Sequence, residues 1–256
     1  MKSDSLVIIP TYNEKENIRN IITAVLNVVE HQFDVLIVDD NSPDGTGAIV
    51  DEMVAECPER VHILKRQGKQ GLGTAYIAGF KWALDHAYEY IIEMDADFSH
   101  PVNKLPELQA TCATGGADVS VGSRYVSGVN VVNWPMGRML MSYYASCYVR
   151  LVTGMKVHDA TAGFVCYRRE VLQSINLDGI EFKGYAFQIE MKFTAHCMGF
   201  IIKEVPIVFI NRVLGTSKMN SSIFFEALWG VIKLRWDSIF NKRRFKRQPL
   251  PKQLTA

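Results

Sequence analysis

The sequence lacks most of the patterns that fix a protein class at a glance. None of its five cysteines (Cys57, Cys112, Cys147, Cys166, Cys197) forms a C-x-x-C pair, and their number is odd. A zinc ribbon and a disulfide framework are therefore excluded, and a reducing cytosol is the expected setting. No uncharged apolar stretch reaches the ~18–20 residues that cross a bilayer. Residues 139–149, between Arg138 and Arg150, come nearest with eleven. No secretory leader is expected, because the first residues run straight into a strand pattern. The G-x-G-x-x-G fingerprint is missing after that strand, where Pro10-Thr-Tyr-Asn13 stands instead, so a dinucleotide-dependent oxidoreductase is excluded. There is no internal repeat, no low-complexity segment and no linker that would mark off a second globular domain.

What is present supports a sizeable core: 256 residues, 48% of them hydrophobic. The net charge of +1 conceals an asymmetry. Residues 212–256 hold ten Lys/Arg against two Asp/Glu, a net +8, which leaves −7 on the first 211. A mildly acidic body with a basic end suggests an anionic surface as partner, and no nucleic acid.

Short apolar runs at 6–9, 35–38, 61–64, 90–94 and 119–121 read as strands. Between them, helical spacing covers 14–30, 46–57, 71–87 and 105–114. Strands alternating with helices imply right-handed βαβ units and a mostly parallel sheet. Beyond residue 126 the pattern predicts helices over 135–153, 187–197 and 221–240. It also predicts strand-like segments over 160–167 and over 201–210, the latter broken at Pro206.

In such sheets ligands sit beyond the carboxyl ends of the strands. The polar clusters stand there: Tyr12-Asn-Glu14, Asp39-Asp40-Asn41, Asp95–Ser99 and Gly122-Ser-Arg124-Tyr125. Asp95-Ala-Asp97 is the most telling. Carboxylates two apart on an extended chain project the same way, and a cation relieves their repulsion. Oxygen ligands of this kind suit Mg²⁺ or Mn²⁺ bridged to a substrate phosphate. A solvated acidic turn is the plain alternative for this motif alone. Gly71 and Gly73 open a helix whose N–H groups either meet a phosphate or simply make a turn.

Several motifs together carry a family resemblance. They are Ile9-Pro-Thr-Tyr-Asn-Glu14, Val38-Asp-Asp-Asn-Ser-Pro-Asp-Gly-Thr46, Gly71-Leu-Gly-Thr-Ala-Tyr76 and Met94-Asp-Ala-Asp-Phe-Ser-His-Pro101, with Gly122-Ser-Arg-Tyr125, Ala162-Gly-Phe164, Arg212 and Ser217-Lys218. In order and spacing the chain resembles family 2 glycosyltransferases, and within them the dolichol-phosphate (polyprenol-phosphate) mannose synthases. The resemblance implies a GT-A fold: an α/β, Rossmann-like nucleotide-sugar-binding unit over 1–220, with an amphipathic helix and basic tail over 221–256. It implies inverting transfer of mannose from GDP-mannose to a polyprenyl phosphate with Mg²⁺ or Mn²⁺. Pro10, Tyr12, Glu14, Val38, Asp40, Asp95, Ala96 and Asp97 match the nucleotide-sugar site. Asp95 and Asp97 match the metal site; Ser99 stands where some relatives place a glutamine ligand. Asp97, Arg124, Arg212 and Lys218 are the expected catalytic set, with Arg124 and Arg138 at the acceptor phosphate. Arg212 and Lys218 would clamp phosphates from a loop around Gly215.

The chemistry fits these residue types. A phosphate monoester has a second pKa near ~6, so it is mostly dianionic at pH 7 and needs no general base. Asp159, Glu181 and Glu190 remain as carboxylates able to serve one, and nothing in the sequence singles out any of them. Residues 159–164 either border the acceptor or pack in the sheet. His100, before Pro101, reads as loop-shaping; His158 and His196 read as structural or solvated. The helix at 221–240 is amphipathic and, with Lys242-Arg-Arg244, suits an anionic membrane surface. A peripheral enzyme on the cytoplasmic face is expected, docked directly or through a membrane-anchoring partner protein. Two alternatives stay open here: a UDP-sugar as donor, and a non-catalytic nucleotide-sugar-binding subunit, against which the intact Asp95, Asp97, Arg212 and Lys218 argue.

Overall fold

The computed structural model of the chain describes residues 3–184, 186–210 and 221–249, with side chains of the last segment from 228 onward. The first half alternates as the runs predict: β1 (Ser5–Thr11), α1 (Ile18–Leu26), β2 (Asp34–Asp39), α2 (Thr46–Glu56), β3 (Val61–Lys65), α3 (Leu72–Asp85), β4 (Tyr90–Glu93), α4 (Leu105–Ala113) and β5 (Val119–Ser123). The second half adds β6 (Val131–Val132), α5 (Met136–Thr153), β7 (Val165–Arg168), α6 (Arg169–Ser174), α7 (Ala186–Cys197), β8 (Ile202–Pro206), β9 (Phe209–Ile210) and α8 (Ser221–Phe240).

Seven strands form one sheet in the order β3-β2-β1-β4-β7-β5-β8, and β6 pairs with β9 beside it. All neighbours in the large sheet are parallel except β7, which runs antiparallel between β4 and β5. The alternation of each strand divides the core into two layers. Leu6, Ile8, Leu36 and Val38 face α3, α6 and α7, whereas Val7, Ile9, Val35 and Ile37 face α1, α2 and α4. Both faces are covered, which is why these strands read as unbroken apolar runs. Helix α3 lies close on its layer: a Cβ at Gly79 would stand 2.7 Å from Ile8.

Three segments differ from the sequence reading. Helix α1 starts at Ile18 rather than Glu14, because the N–H groups of residues 13–15 bond across to another loop. Of the expected 160–167 strand only 165–167 is extended, within β7, since a turn closed by the Ala162 N–H on the Asp159 carbonyl takes up its start. The 201–210 segment breaks after Pro206, not at it; Ile207 and Val208 separate β8 from β9.

Chain order reverses around β1, with β2 and β3 on one side and β4 on the other. Such a switch point opens a crevice at the carboxyl ends of the strands. A third apolar cluster joins Val149 of α5, Ile189 and Phe193 of α7, and Val231 and Leu234 of α8. The terminal helix is thereby packed on the domain.

Candidate active site

The Asp95–Ser99 loop leaves β4 next to β1 in that crevice. Phe98 adopts φ 59°, a left-handed conformation that costs a bulky residue of order 1–3 kcal/mol. The turn it makes brings the Ser99 N–H back to Asp97 Oδ1 at 3.1 Å. The Asp95 N–H donates to His100 Nδ1 at 3.0 Å, which leaves the imidazole proton on Nε2, 3.9 Å from Asp95 Oδ2. Burial lowers the His100 pKa despite the charges of Asp95 and Asp97, so a neutral ring props the loop. Tyr76 donates to Asp95 Oδ1 at 3.5 Å, its phenol kept protonated by burial and by that carboxylate.

Asp95 and Asp97 are partly exposed, and the buried Ser99 Oγ on the same loop has no hydrogen-bond partner among the described residues. Two carboxylates and an orphaned hydroxyl make an all-oxygen donor set that fits a hard divalent cation, with water and substrate oxygens completing the shell. Among the described residues no cluster of three or more His, Cys, Asp or Glu is placed to hold a metal.

The loops after β1 and β2 are stitched together beside this site. The N–H groups of Asn13, Glu14 and Lys15 donate to Ser42 Oγ, Thr46 Oγ1 and Asp44 Oδ2, at 3.0–3.1 Å. Asp39 accepts from Thr11 Oγ1 and from Ser42, so it ties the ends of β1 and β2 to the loop that follows. Asp40 Oδ1 approaches Arg66 Nε at 3.1 Å; burial raises its pKa against the pull of that guanidinium. Lys69 lies 5.0 Å from the Tyr12 ring centroid. Val38 is fully buried in the sheet between Pro10 and Leu64, and Ala96 is nearly buried, so neither offers a side chain to a nucleotide. The N–H of Gly73 is taken by the Lys183 carbonyl at 2.8 Å, and a Cβ there would meet Phe187 at 2.7 Å. That glycine serves helix packing rather than phosphate binding.

On the other side, Arg124 is nearly buried and bidentate to Asp159, with Nε and Nη2 each 2.7 Å from a carboxylate oxygen. Burial alone would raise the Asp159 pKa; the Arg124 charge and its hydrogen bonds overcome this and hold the carboxyl below its ordinary value. Glu204 fixes the turn by accepting from the backbones of His158 and Asp159. The Arg124 guanidinium lies 5.1–5.6 Å from the rings of Tyr125, Trp134 and Phe209, and that of Arg138 lies 4.1 Å from Trp134. The other two candidate bases are engaged too: Glu190 accepts from Glu181 and Phe182 N–H and pairs with Arg244, which also binds Glu181.

Residues 6–175 match the family described as Glycosyl transferase family 2. The chain belongs to this family. It is 47% identical over 232 residues to the polyprenol monophosphomannose synthase of Mycolicibacterium smegmatis, covering 89% of this chain and 87% of the relative. To the undecaprenyl-phosphate mannosyltransferase of Micrococcus luteus it is 46% identical, covering 91% and 96%. Its fold matches that of glucosyl-3-phosphoglycerate synthase from Mycobacterium tuberculosis, solved with Mn²⁺, UDP and glucosyl-3-phosphoglycerate (TM-score 0.64, 17% identity, 98% of this chain and 82% of that one). It also matches a mannosyltransferase from Pyrobaculum calidifontis solved with GDP-Man and Mn²⁺ (TM-score 0.57, 17% identity, 94% and 65%). The architecture expected from the motifs, a GT-A fold with a mostly parallel sheet, is the one found.

Within this family 2 glycosyltransferase the sequence pointed to Pro10, Tyr12, Glu14, Asp40, Asp95 and Asp97, and the structure places them on loops or strand ends at one rim. Arg212 and Lys218 lie outside the described residues. Sequence reasoning missed Arg66 against Asp40, Lys69 over Tyr12, and Trp134 with Phe209 around Arg124. It also missed a buried polar layer beneath the aspartate loop. Glu93 and Lys192 are both fully buried; burial pushes the first up to about 8 and the second down to about 8. Lys192 Nζ donates to the Ala162 carbonyl at 2.7 Å. A glutamate inside the apolar run Tyr90-Ile-Ile-Glu-Met94 was the available signal.

Proposed function

We propose that this enzyme transfers mannose from GDP-mannose to a polyprenyl phosphate, with inversion, at a membrane surface. The observation that carries the reading is the near-full-length relatedness to two proteins named for mannose transfer to polyprenyl phosphates. The site's chemistry agrees with it. The acceptor phosphate arrives ionised, and Asp159, Glu181 and Glu190 are all engaged in ion pairs, as a reaction without a protein base allows.

In this reaction an acceptor phosphate oxygen forms the new bond to the anomeric carbon from the face opposite the leaving group. The bond to the GDP oxygen breaks, and no proton is transferred. Asp95, Asp97 and Ser99 would hold Mg²⁺ or Mn²⁺, which supplies Lewis-acid neutralisation of the leaving pyrophosphate. Pro10, Tyr12, Glu14 and Asp40 bind the nucleotide, with Val38 and Ala96 packed beneath them. Arg124 and Arg138 orient the acceptor phosphate. Arg212 and Lys218 clamp phosphates during transfer.

Two helices supply the membrane side. Tyr148 of α5 donates to the Leu228 carbonyl of α8 at 2.9 Å. Trp229, Ile232, Trp236 and Phe240 form one exposed face of α8, with Trp229 72% and Trp236 61% exposed. Met136, Leu140, Tyr144 and Leu151 are exposed along α5. Tryptophans beside Lys233 and Arg235 suit a docked surface on anionic lipid. No helix among the described residues is long and apolar enough to cross a membrane. The test is an assay of GDP-mannose and UDP-glucose against a short polyprenyl phosphate with Mn²⁺ or Mg²⁺. Mannosyl product from GDP-mannose alone is expected; product from UDP-glucose alone overturns the donor assignment, and no lipid product from either overturns the acceptor.

A further inference from the structure

Trp134 is the ring shared by the two arginines, and nothing in the sequence motifs accounted for it. It follows Asn133, whose φ of 60° turns the chain out of β6, and it precedes Pro135 at the start of α5. Its ring centroid lies 4.1 Å from the Arg138 guanidinium carbon and 5.5 Å from that of Arg124. Phe209 meets it edge-on at 5.3 Å, and the same Phe209 meets His100 edge-on at 5.7 Å. His100 in turn accepts the Asp95 N–H. A continuous line of rings thus joins the aspartate loop to the two guanidinium groups. The Trp134 Nε1 is buried and has no hydrogen-bond partner among the described residues, so ring contacts rather than a hydrogen bond set its position.

We infer that Trp134 is a positioning residue of the acceptor site, the plate that fixes the Arg124 and Arg138 guanidinium planes at a set distance from the aspartate loop. The inference rests on the acceptor reading above and deepens it. Asp159 already balances Arg124. The indole lies at guanidinium stacking distance from Arg138 and within cation–π reach of Arg124, the arrangement that orients a planar cation. A dianionic headgroup is the substrate that gains from such orientation.

The test uses the full chain with farnesyl phosphate as acceptor and GDP-mannose as donor, varying each in turn. Trp134→Leu should raise the acceptor KM about tenfold or more, as loss of a partly desolvated cation–π contact implies. The donor KM should stay within about twofold of the parent, so the loss shows as a split between the two substrates. Trp134→Phe keeps a ring and should restore acceptor KM to within about threefold of the parent. If the leucine variant does not fold, Trp134→Met, which fills the space without a ring, carries the same expectation. An acceptor KM unmoved by loss of the ring overturns the inference, as does a phenylalanine variant as impaired as the leucine one. Absence of lipid product with the parent chain overturns the acceptor reading and this role together; normal product with unaffected variants overturns this role alone.

Discussion

The two halves of the crevice are built in opposite ways. The side proposed for the donor is a set of short loops, each following its own strand, tied by hydroxyls and carboxylates to neighbouring backbone N–H groups. Three of these loops turn through left-handed residues, Asn13, Asn41 and Phe98. The side proposed for the acceptor draws Arg124, Trp134, Arg138, Asp159 and Phe209 from four separated segments and holds them by ion pairing and ring contact. The donor side presents half-exposed acids ready for a cation. The acceptor side buries its charge and neutralises part of it. Substitutions should therefore cost chemistry on one side and stability as well on the other.

The largest expected effect comes from the donor side. Asp97→Ala should lower transfer by about a thousandfold or more, the scale of losing Lewis-acid assistance to the leaving group. Thermal stability should hardly change, since the side chain is partly exposed. Steady-state rates and a melting curve check both parts; a large drop in Tm would break the contrast.

Asp159→Asn should do the reverse, costing about 3–5 kcal/mol because Arg124 would be left buried without its counter-charge. The pH dependence follows from the depressed carboxyl. Its native pKa lies below the unfolded value of about 4, so the stabilisation is complete above that pH and is lost as pH falls through the native pKa. The Tm difference between parent and variant should shrink on acidification; a difference that widens in acid contradicts the pairing.

The layer beneath both halves sharpens the comparison. Lys192 acts on Glu93 through space only, both Glu93 carboxylate oxygens lacking a hydrogen-bond partner among the described residues, so Lys192→Leu, which removes that charge and the bond to Ala162, should destabilise by about 1–3 kcal/mol, and adding Glu93→Leu should recover part of the loss. Denaturant melts decide this, and additive losses would show that the two residues act separately. The smallest effect is peripheral. Trp229→Ala with Trp236→Ala should weaken binding to anionic vesicles by about tenfold and leave transfer to a detergent-solubilised acceptor intact. Unchanged vesicle binding would remove α8 from the membrane face.

This contrast also explains what the sequence could tell. The donor loops were legible because each motif is contiguous and follows a strand whose apolar run is plain, as at Met94-Asp-Ala-Asp97. The sheet was legible because both faces are covered and its strands are unbroken runs. On the side proposed for the acceptor the sequence named Arg124 and Arg138 but not the pairing of Arg124 with Asp159, because the two meet across the antiparallel insertion of β7, which no local pattern announces. Trp134 stood out in no motif, and its significance lies entirely in contacts made across the fold. The basic end was read as suited to an anionic membrane surface; part of it turns inward, where Arg244 binds Glu181, Glu190 and Asp237, and Arg247 lies 3.9 Å from the Phe200 ring.

The central claim is that one cation at the Asp95–Ser99 loop takes up the charge of a departing nucleotide. Anomalous scattering from a crystal grown with Mn²⁺ and GDP-mannose tests it most directly. The account predicts a single strong peak within coordination distance of the Asp95 and Asp97 carboxylates and the pyrophosphate oxygens. Manganese bound at any other place, with the pyrophosphate out of reach of both aspartates, would contradict it.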